Sequence, residues 1–140
     1  CVKSMFFLTQ NLLPLLVSAA DSENPSRVIN IGSIDGINTP VFKNYSYSAA
    51  KSAVHHMTRV LAAELVKKHI NVNAIAPGSI DTDMPKSMSD TVRARLKNAV
   101  PMKRLGDPRE VGECALFLAS ERSNYITGAT LHINGGSLIL

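Results

Sequence analysis

Apolar residues near the start of the chain recur at helical spacing. Met5, Leu8, Leu12, Leu15 and Ala19 step by three and four, which is the signature of one helix face. The pattern predicts a helix over residues 2–19. Pro14 is expected to kink it by removing a backbone donor. Residues 21–26 are polar, contain Pro25, and read as a loop. The run from Arg27 to Ser33 is β-branched and ends at Gly32, so it reads as a buried parallel strand. Residues 34–44 form a loop. Ala50, Val54, Met57, Leu61 and Leu65 then restore the helical stripe over residues 45–69. Residues 70–76 are a second strand, stopped by Pro77-Gly78. A short helix is expected around residues 88–98. Asp107-Pro-Arg-Glu110 opens another, because Asp107 can cap, Pro108 suits the first turn and Glu110 can bond back to the cap. Residues 130–134 are the last strand.

The predicted order is helix, strand, helix, strand, helix, helix, strand. Such alternation argues for an α/β fold with a parallel sheet between helices, the C-terminal part of a doubly wound (Rossmann) domain. Three strands are few for such a sheet and leave an edge to be covered. The sequence also begins with Cys rather than Met. Residues 1–140 are therefore expected to be one portion of a single domain that lacks its N-terminal units.

Composition narrows the function more than it changes the fold. Hydrophobic residues make up 45% of the 140 residues, enough for one core. The net charge is +4, the basic residues are scattered, and aromatics are 5% with no Trp. Neither a phosphate-binding stripe nor a stacking platform results, so no nucleic-acid partner is expected. Cys1 and Cys114 suggest neither a disulfide framework nor a zinc site. Cys114 reads as a buried thiol, and a reducing cytoplasm is the expected compartment. The apolar run Leu12–Val17 is too short to span a bilayer, and Thr9, Gln10 and Asn11 interrupt any signal-peptide pattern. No membrane association and no metal cluster are expected.

Candidate chemistry centres on Tyr47-Ser-Ala-Ala-Lys51. Residues four apart share a helix face, so the phenol and the ammonium project together. A free phenol titrates near pKa about 10, too high for proton exchange near neutrality. A fixed positive charge beside a phenol favours the phenolate. Tyr47 is thus a candidate general acid or base. Tyr45 lies six residues from Lys51 and is turned off that face. Ser33 follows a strand at the edge where open α/β sheets place ligands. It reads as a hydroxyl that orients a substrate oxygen, or else as a plain turn residue. Pro77-Gly-Ser-Ile-Asp-Thr82 follows the next strand. It reads as a loop whose backbone approaches a ligand while Thr82 offers a hydroxyl, or else simply as a loop. Asp35 is a substrate contact or a loop cap. His55 and His56 are read as surface or interface residues, His69 as a helix-end cation, and His132 as structural. Gly32-Ser-Ile-Asp-Gly36 lacks the spacing of a serine-hydrolase elbow.

Taken together, these segments resemble the classical short-chain dehydrogenase/reductase family over essentially the whole chain. Arg27-Val-Ile-Asn-Ile-Gly-Ser33 is similar to the strand bearing the family's active serine. Tyr47 and Lys51 match its catalytic pair, and Asn71-Val-Asn-Ala-Ile-Ala-Pro-Gly78 with Thr82 resembles its nicotinamide-side loop. Arg104-Leu-Gly-Asp-Pro-Arg-Glu110, Tyr125-Ile-Thr-Gly128 and Asn134-Gly-Gly136 resemble its C-terminal signature.

The resemblance implies an oxidoreductase using NADP or NAD on a carbonyl or alcohol, with the 3-oxoacyl reductase branch most similar. It implies catalytic roles for Ser33, Tyr47 and Lys51. It implies cofactor contacts for Tyr47, Lys51, Pro77, Gly78, Ile80 and Thr82. It also implies a homo-oligomer, dimer or tetramer, paired through the helices at residues 2–19 and 45–69. Residues 83–98 would form a substrate lid, with Met84, Met88, Val92 and Leu96 as an apolar face or as plain packing. Two features depart from the family. No G-x-G-x-x-G is present, so the isolated chain is expected to be inactive. Cys1 aligns where the family carries a catalytic Asn, and no role is carried over to it. The alternative reading is a non-catalytic dinucleotide-binding or dimerisation module of the same fold.

Overall fold

A computed structural model describes residues 2–40, 43–83 and 88–139. Cys1 and Met84, both named above, lie outside the described residues. The elements are α1 (Val2–Ser18), β1 (Ser26–Ile31), α2 (Tyr45–Leu65), β2 (Ile70–Pro77), α3 (Asp90–Ala99), α4 (Pro108–Ala119) and β3 (Thr130–Ile133). The described strands form one all-parallel sheet in the order β1-β2-β3. Ser26 pairs with Ile70 at one end of the β1–β2 ladder and Ile31 with Ile75 at the other.

Central β2 is buried from Ile70 to Ala76, as a strand covered on both faces must be. Alternate residues serve opposite layers. On one face Val28, Ile70 and Val72 pack with Leu61, Ala62 and Leu65 of α2 and Leu13 and Leu16 of α1. On the other, Ile29, Ile75, Leu131 and Ile133 pack with Val111, Cys114 and Leu118 of α4. Helices on both faces of a parallel sheet are the expected α/β arrangement. Burial holds the Cys114 thiol above its ordinary pKa, consistent with an inert core cysteine.

Two apolar patterns fare differently. The α2 stripe is confirmed, with Val54, Leu61 and Leu65 buried. The α1 stripe turns away from the core. Leu8, Leu12 and Leu15 face outward, while Thr9 is buried and Leu13 and Leu16 meet the core. Helix α1 has apolar residues on more than one side, so spacing alone admitted either face. The helix runs through Pro14 to Ser18. Thr9 satisfies its hydroxyl by donating to the Met5 carbonyl at 2.9 Å, which lets a polar residue face inward.

Buried asparagines fasten the β3 side. Asn71 Nδ2 donates to the Asn124 carbonyl at 2.9 Å. Asn73 Nδ2 donates to the Ile126 carbonyl at 2.8 Å, while its Oδ1 accepts from Ala129 N–H at 3.0 Å. Helix α4 begins with the expected reciprocal cap. Asp107 accepts from Arg109 N–H at 2.8 Å, and Glu110 accepts from Asp107 N–H at 2.7 Å. Arg104 adds two bonds to the Glu110 carboxylate, at 2.6 and 2.8 Å.

Candidate active site

The C-terminal ends of β1 and β2 lie side by side, tied beyond the ladder by Gly32 N–H donating to the Ile75 carbonyl at 2.8 Å. Ser33 follows β1 after Gly32 and is buried. It caps a short 3-10 turn, Ile34–Gly36, by accepting from Asp35 N–H at 3.2 Å. That bond uses a lone pair of Oγ and leaves its own proton available to donate. Asp35, of which the sequence left two readings, is held by its backbone in this turn. Partial burial pushes its carboxyl pKa up.

Helix α2 starts at Tyr45, where Asn44 accepts from Tyr47 N–H at 3.2 Å. The Lys51 ammonium sits 5.6 Å from the centre of the Tyr47 ring, within the range of a cation–π contact. The same ammonium donates to the Ile31 carbonyl at 2.8 Å. This bond ties the Tyr-Lys pair to the end of β1, two residues from Ser33. Tyr47 is 39% exposed and Tyr45 80%, so a ligand could reach Tyr47 beside the anchored lysine. Gly36 makes the approach of turn and helix possible. A Cβ there would fall 2.5 Å from the Lys51 carbonyl carbon and 2.6 Å from Ser52 N.

The Pro77–Thr82 segment leaves β2 at the same edge. Gly78 N–H donates to the Ile133 carbonyl at 2.9 Å. A Cβ on Gly78 would stand 2.9 Å from Asn134, so the close approach this glycine permits is to the chain's own Asn134. Ile80 bridges Gly106 in parallel fashion. The bridge is made by Gly106 N–H to the Ser79 carbonyl and Asp81 N–H to the Gly106 carbonyl. Ile80's own N–H takes no part in that bridge. Thr82 is exposed next to it. Asp81 is held aside by Arg93 of α3 at 3.0 Å. Among the described residues no group of His, Cys, Asp and Glu has a metal-binding arrangement, and no helix is long and apolar enough to cross a membrane.

The main surprise is His55. Its expected surface placement is corrected: the residue is only 4% exposed and lies under Gly32 and Ser33. A Cβ on Gly32 would sit inside its ring, 2.2 Å from Cε1. His56, its neighbour, is exposed. Asn30 and Thr58 continue this buried polar row, with Asn30 Nδ2 donating to Thr58 Oγ1 at 3.0 Å. The sequence did carry a signal for these residues. His55 and Thr58 are four and seven positions from Lys51, on the core-side stripe of α2 once polar residues are counted as members of it.

Known proteins match this sequence and fold. Residues 1–137 fit the family model described as "Enoyl-(Acyl carrier protein) reductase". A rhamnolipids-biosynthesis 3-oxoacyl-[acyl-carrier-protein] reductase of Pseudomonas aeruginosa is 43% identical over 137 residues, covering 96% of this chain and 54% of its own. The solved Pseudomonas aeruginosa RhlG/NADP active-site complex superposes with a TM-score of 0.91 at 42% identity, over 96% of this chain and 55% of its own. A Brucella melitensis 3-oxoacyl-[acyl-carrier protein] reductase with bound NAD gives 0.82 at 36% identity, over 94% and 47%. The chain thus spans about half the length of these relatives. A parallel sheet flanked on both sides, a Tyr-Lys pair anchored at its edge, and these likenesses agree: the chain belongs to the short-chain dehydrogenase/reductase family.

Proposed function

We propose that residues 1–140 are the C-terminal catalytic portion of a nicotinamide-dependent oxidoreductase acting on a carbonyl or alcohol, of the 3-oxoacyl reductase kind. The observation that carries this reading is Lys51, whose ammonium lies over the Tyr47 ring and is anchored to the Ile31 carbonyl beside Ser33. The donors present suit a nicotinamide nucleotide. Lys51 and the Tyr47 hydroxyl can hold ribose hydroxyls, Pro77 and Gly78 shape the turn, and Ile80 N–H and the Thr82 hydroxyl can meet the amide or phosphates.

A nicotinamide cofactor held there would supply, in the reducing direction, a hydride for the carbonyl carbon. Tyr47 donates its phenolic proton to the carbonyl oxygen as the C=O π bond breaks, so that the product is an alcohol and the phenol becomes a phenolate. The Lys51 charge stabilises that phenolate. Ser33 donates its hydroxyl proton to the same oxygen as a hydrogen bond and fixes the carbonyl against Tyr47. Alcohol oxidation reverses each step.

The cofactor is NADP or NAD in this reading. A homo-oligomer would find apolar surface on α1, where Phe7, Leu8, Leu12 and Leu15 are exposed. A cytoplasmic setting accompanies the reading. Because no glycine-rich phosphate loop occurs in the sequence, the 140 residues alone are expected to show no turnover. In the full-length protein containing them, Tyr47→Phe should lower kcat by about 10²–10⁴-fold. Nicotinamide binding, followed by fluorescence, should persist. Turnover unchanged in that variant would remove Tyr47 from the reaction.

A further inference from the structure

We infer that His55 is a positioning residue: its imidazole grips the backbone of Ser33 from beneath and sets where the serine hydroxyl points. The inference rests on the reading of Ser33 as the group that orients the substrate oxygen.

Helix α2 holds the end of β1 at regular intervals. Lys51 Nζ donates to the Ile31 carbonyl at 2.8 Å. One turn later His55 Nε2 lies 2.9 Å from the Ser33 carbonyl oxygen. Residues four apart on the helix therefore reach carbonyls two apart on the chain, which lie on the same side of an extended segment. Thr58 follows, bonded to Asn30. The second ring nitrogen, Nδ1, faces Thr130 Oγ1 of β3 at 3.4 Å. His55 thus connects α2, the end of β1 and β3 within the core.

The shorter contact favours one tautomer. A carbonyl oxygen can only accept, so the 2.9 Å contact requires a proton on Nε2. With that proton in place Nε2 has no lone pair, so the longer 3.3 Å approach of Ser33 N–H to the same nitrogen is not a hydrogen bond. Nδ1 is left as an acceptor for the Thr130 hydroxyl. Only glycine at position 32 leaves room for the ring, so imidazole and chain are fitted to each other. Ser33 is also the cap of the Ile34–Gly36 turn, and its extended backbone fixes the direction of Cβ. Releasing the carbonyl frees that direction, while the Lys51 anchor and the cofactor-side loop stay in place.

The test uses the full-length protein, with acetoacetyl-CoA and NADPH as probes. His55→Leu should lower kcat by about tenfold or more, since small misplacements of a substrate-orienting group are costly. The KM for NADPH should stay within about twofold, because uniform binding is untouched. His55→Gln, whose amide nitrogen reaches about as far as Nε2, should restore most of kcat. A His55→Leu kcat equal to wild type overturns the proposal, and so does a His55→Gln variant as slow as His55→Leu. If His55→Leu does not fold, nitrogen NMR of the unmodified protein decides: an Nε2–H imidazole is expected, and an Nδ1–H imidazole overturns the assignment. The NMR result does not depend on activity. Full turnover in Ser33→Ala would instead sink the reading on which this one rests, so the two failures are distinguishable.

Discussion

Helices α1 and α2 lie on the same face of the sheet, and both carry apolar residues at helical spacing. In α2 the apolar stripe is the buried stripe. In α1 the most regular stripe faces outward, and a less regular one through Thr9, Leu13 and Leu16 meets the core. The difference is the number of apolar choices. Polar residues on the outer side of α2, such as Arg59 and Glu64, leave one face able to bury. Helix α1 has Phe6, Phe7, Leu8, Leu12, Leu13, Leu15 and Leu16 spread around its girth, so periodicity specifies a helix without specifying its orientation. An apolar surface larger than the core requires is a common mark of a further contact.

The comparison can be broken by measurement. Leu61, 6% exposed on α2, should cost about 2–5 kcal/mol on substitution by alanine, in urea unfolding. Helix α4 gives an intermediate case, in which a local cap contributes beside burial. Asp107→Ala removes the bond to Arg109 N–H and should cost about 1 kcal/mol by the same assay.

The other half of that cap has a pH signature. The Arg104 guanidinium first, and Asp107 N–H second, lower the Glu110 carboxyl from its ordinary 4.5 to about 2. A lowered folded-state pKa means that folding favours the ionised form. Its contribution is fully present above pH 4.5 and is lost as pH falls through about 2. Melting temperature followed over that window should decline less in Glu110→Gln than in the parent. The pair is exposed, so the difference should be small. Smallest of all should be Leu15→Ala, at 66% exposure, within about 0.5 kcal/mol. A Leu15 cost rivalling that of Leu61 would show α1 to be covered in the protein as measured.

Local chemistry made much of the fold legible. Pro108 and Glu110 announced the start of α4, and the β-branched runs announced β1 and β2 to within a residue or two. Helical spacing placed Lys51 beside Tyr47 because that relation is internal to one helix. Relations between elements were not legible in the same way. Gly78 read as a place where a ligand comes close, whereas its first neighbour is Asn134. His55 read as a surface residue because a polar type in a helix usually is one. The α2 stripe could have placed it inward, but its fit against Gly32, just past the end of β1, is a relation that no periodicity within α2 reports. Asn71 and Asn73 interrupt an apolar strand, and that interruption was the visible trace of the bonds they make to residues 124–129.

Those asparagines also bear on how the chain reaches this structure. Central β2 cannot be completed until β1, far earlier in sequence, and β3, far later, have both arrived. Pairings of such long range are slow to form, and meanwhile the strand is exposed to other chains. An uninterrupted apolar β-segment is the kind most apt to associate in that interval. With Asn71 and Asn73 at alternate positions, β2 carries amides along one edge of its pleat that are satisfied only when the loop before β3 is in place. The strand is thereby made less adhesive while it waits, and selective for its proper neighbour once that neighbour comes.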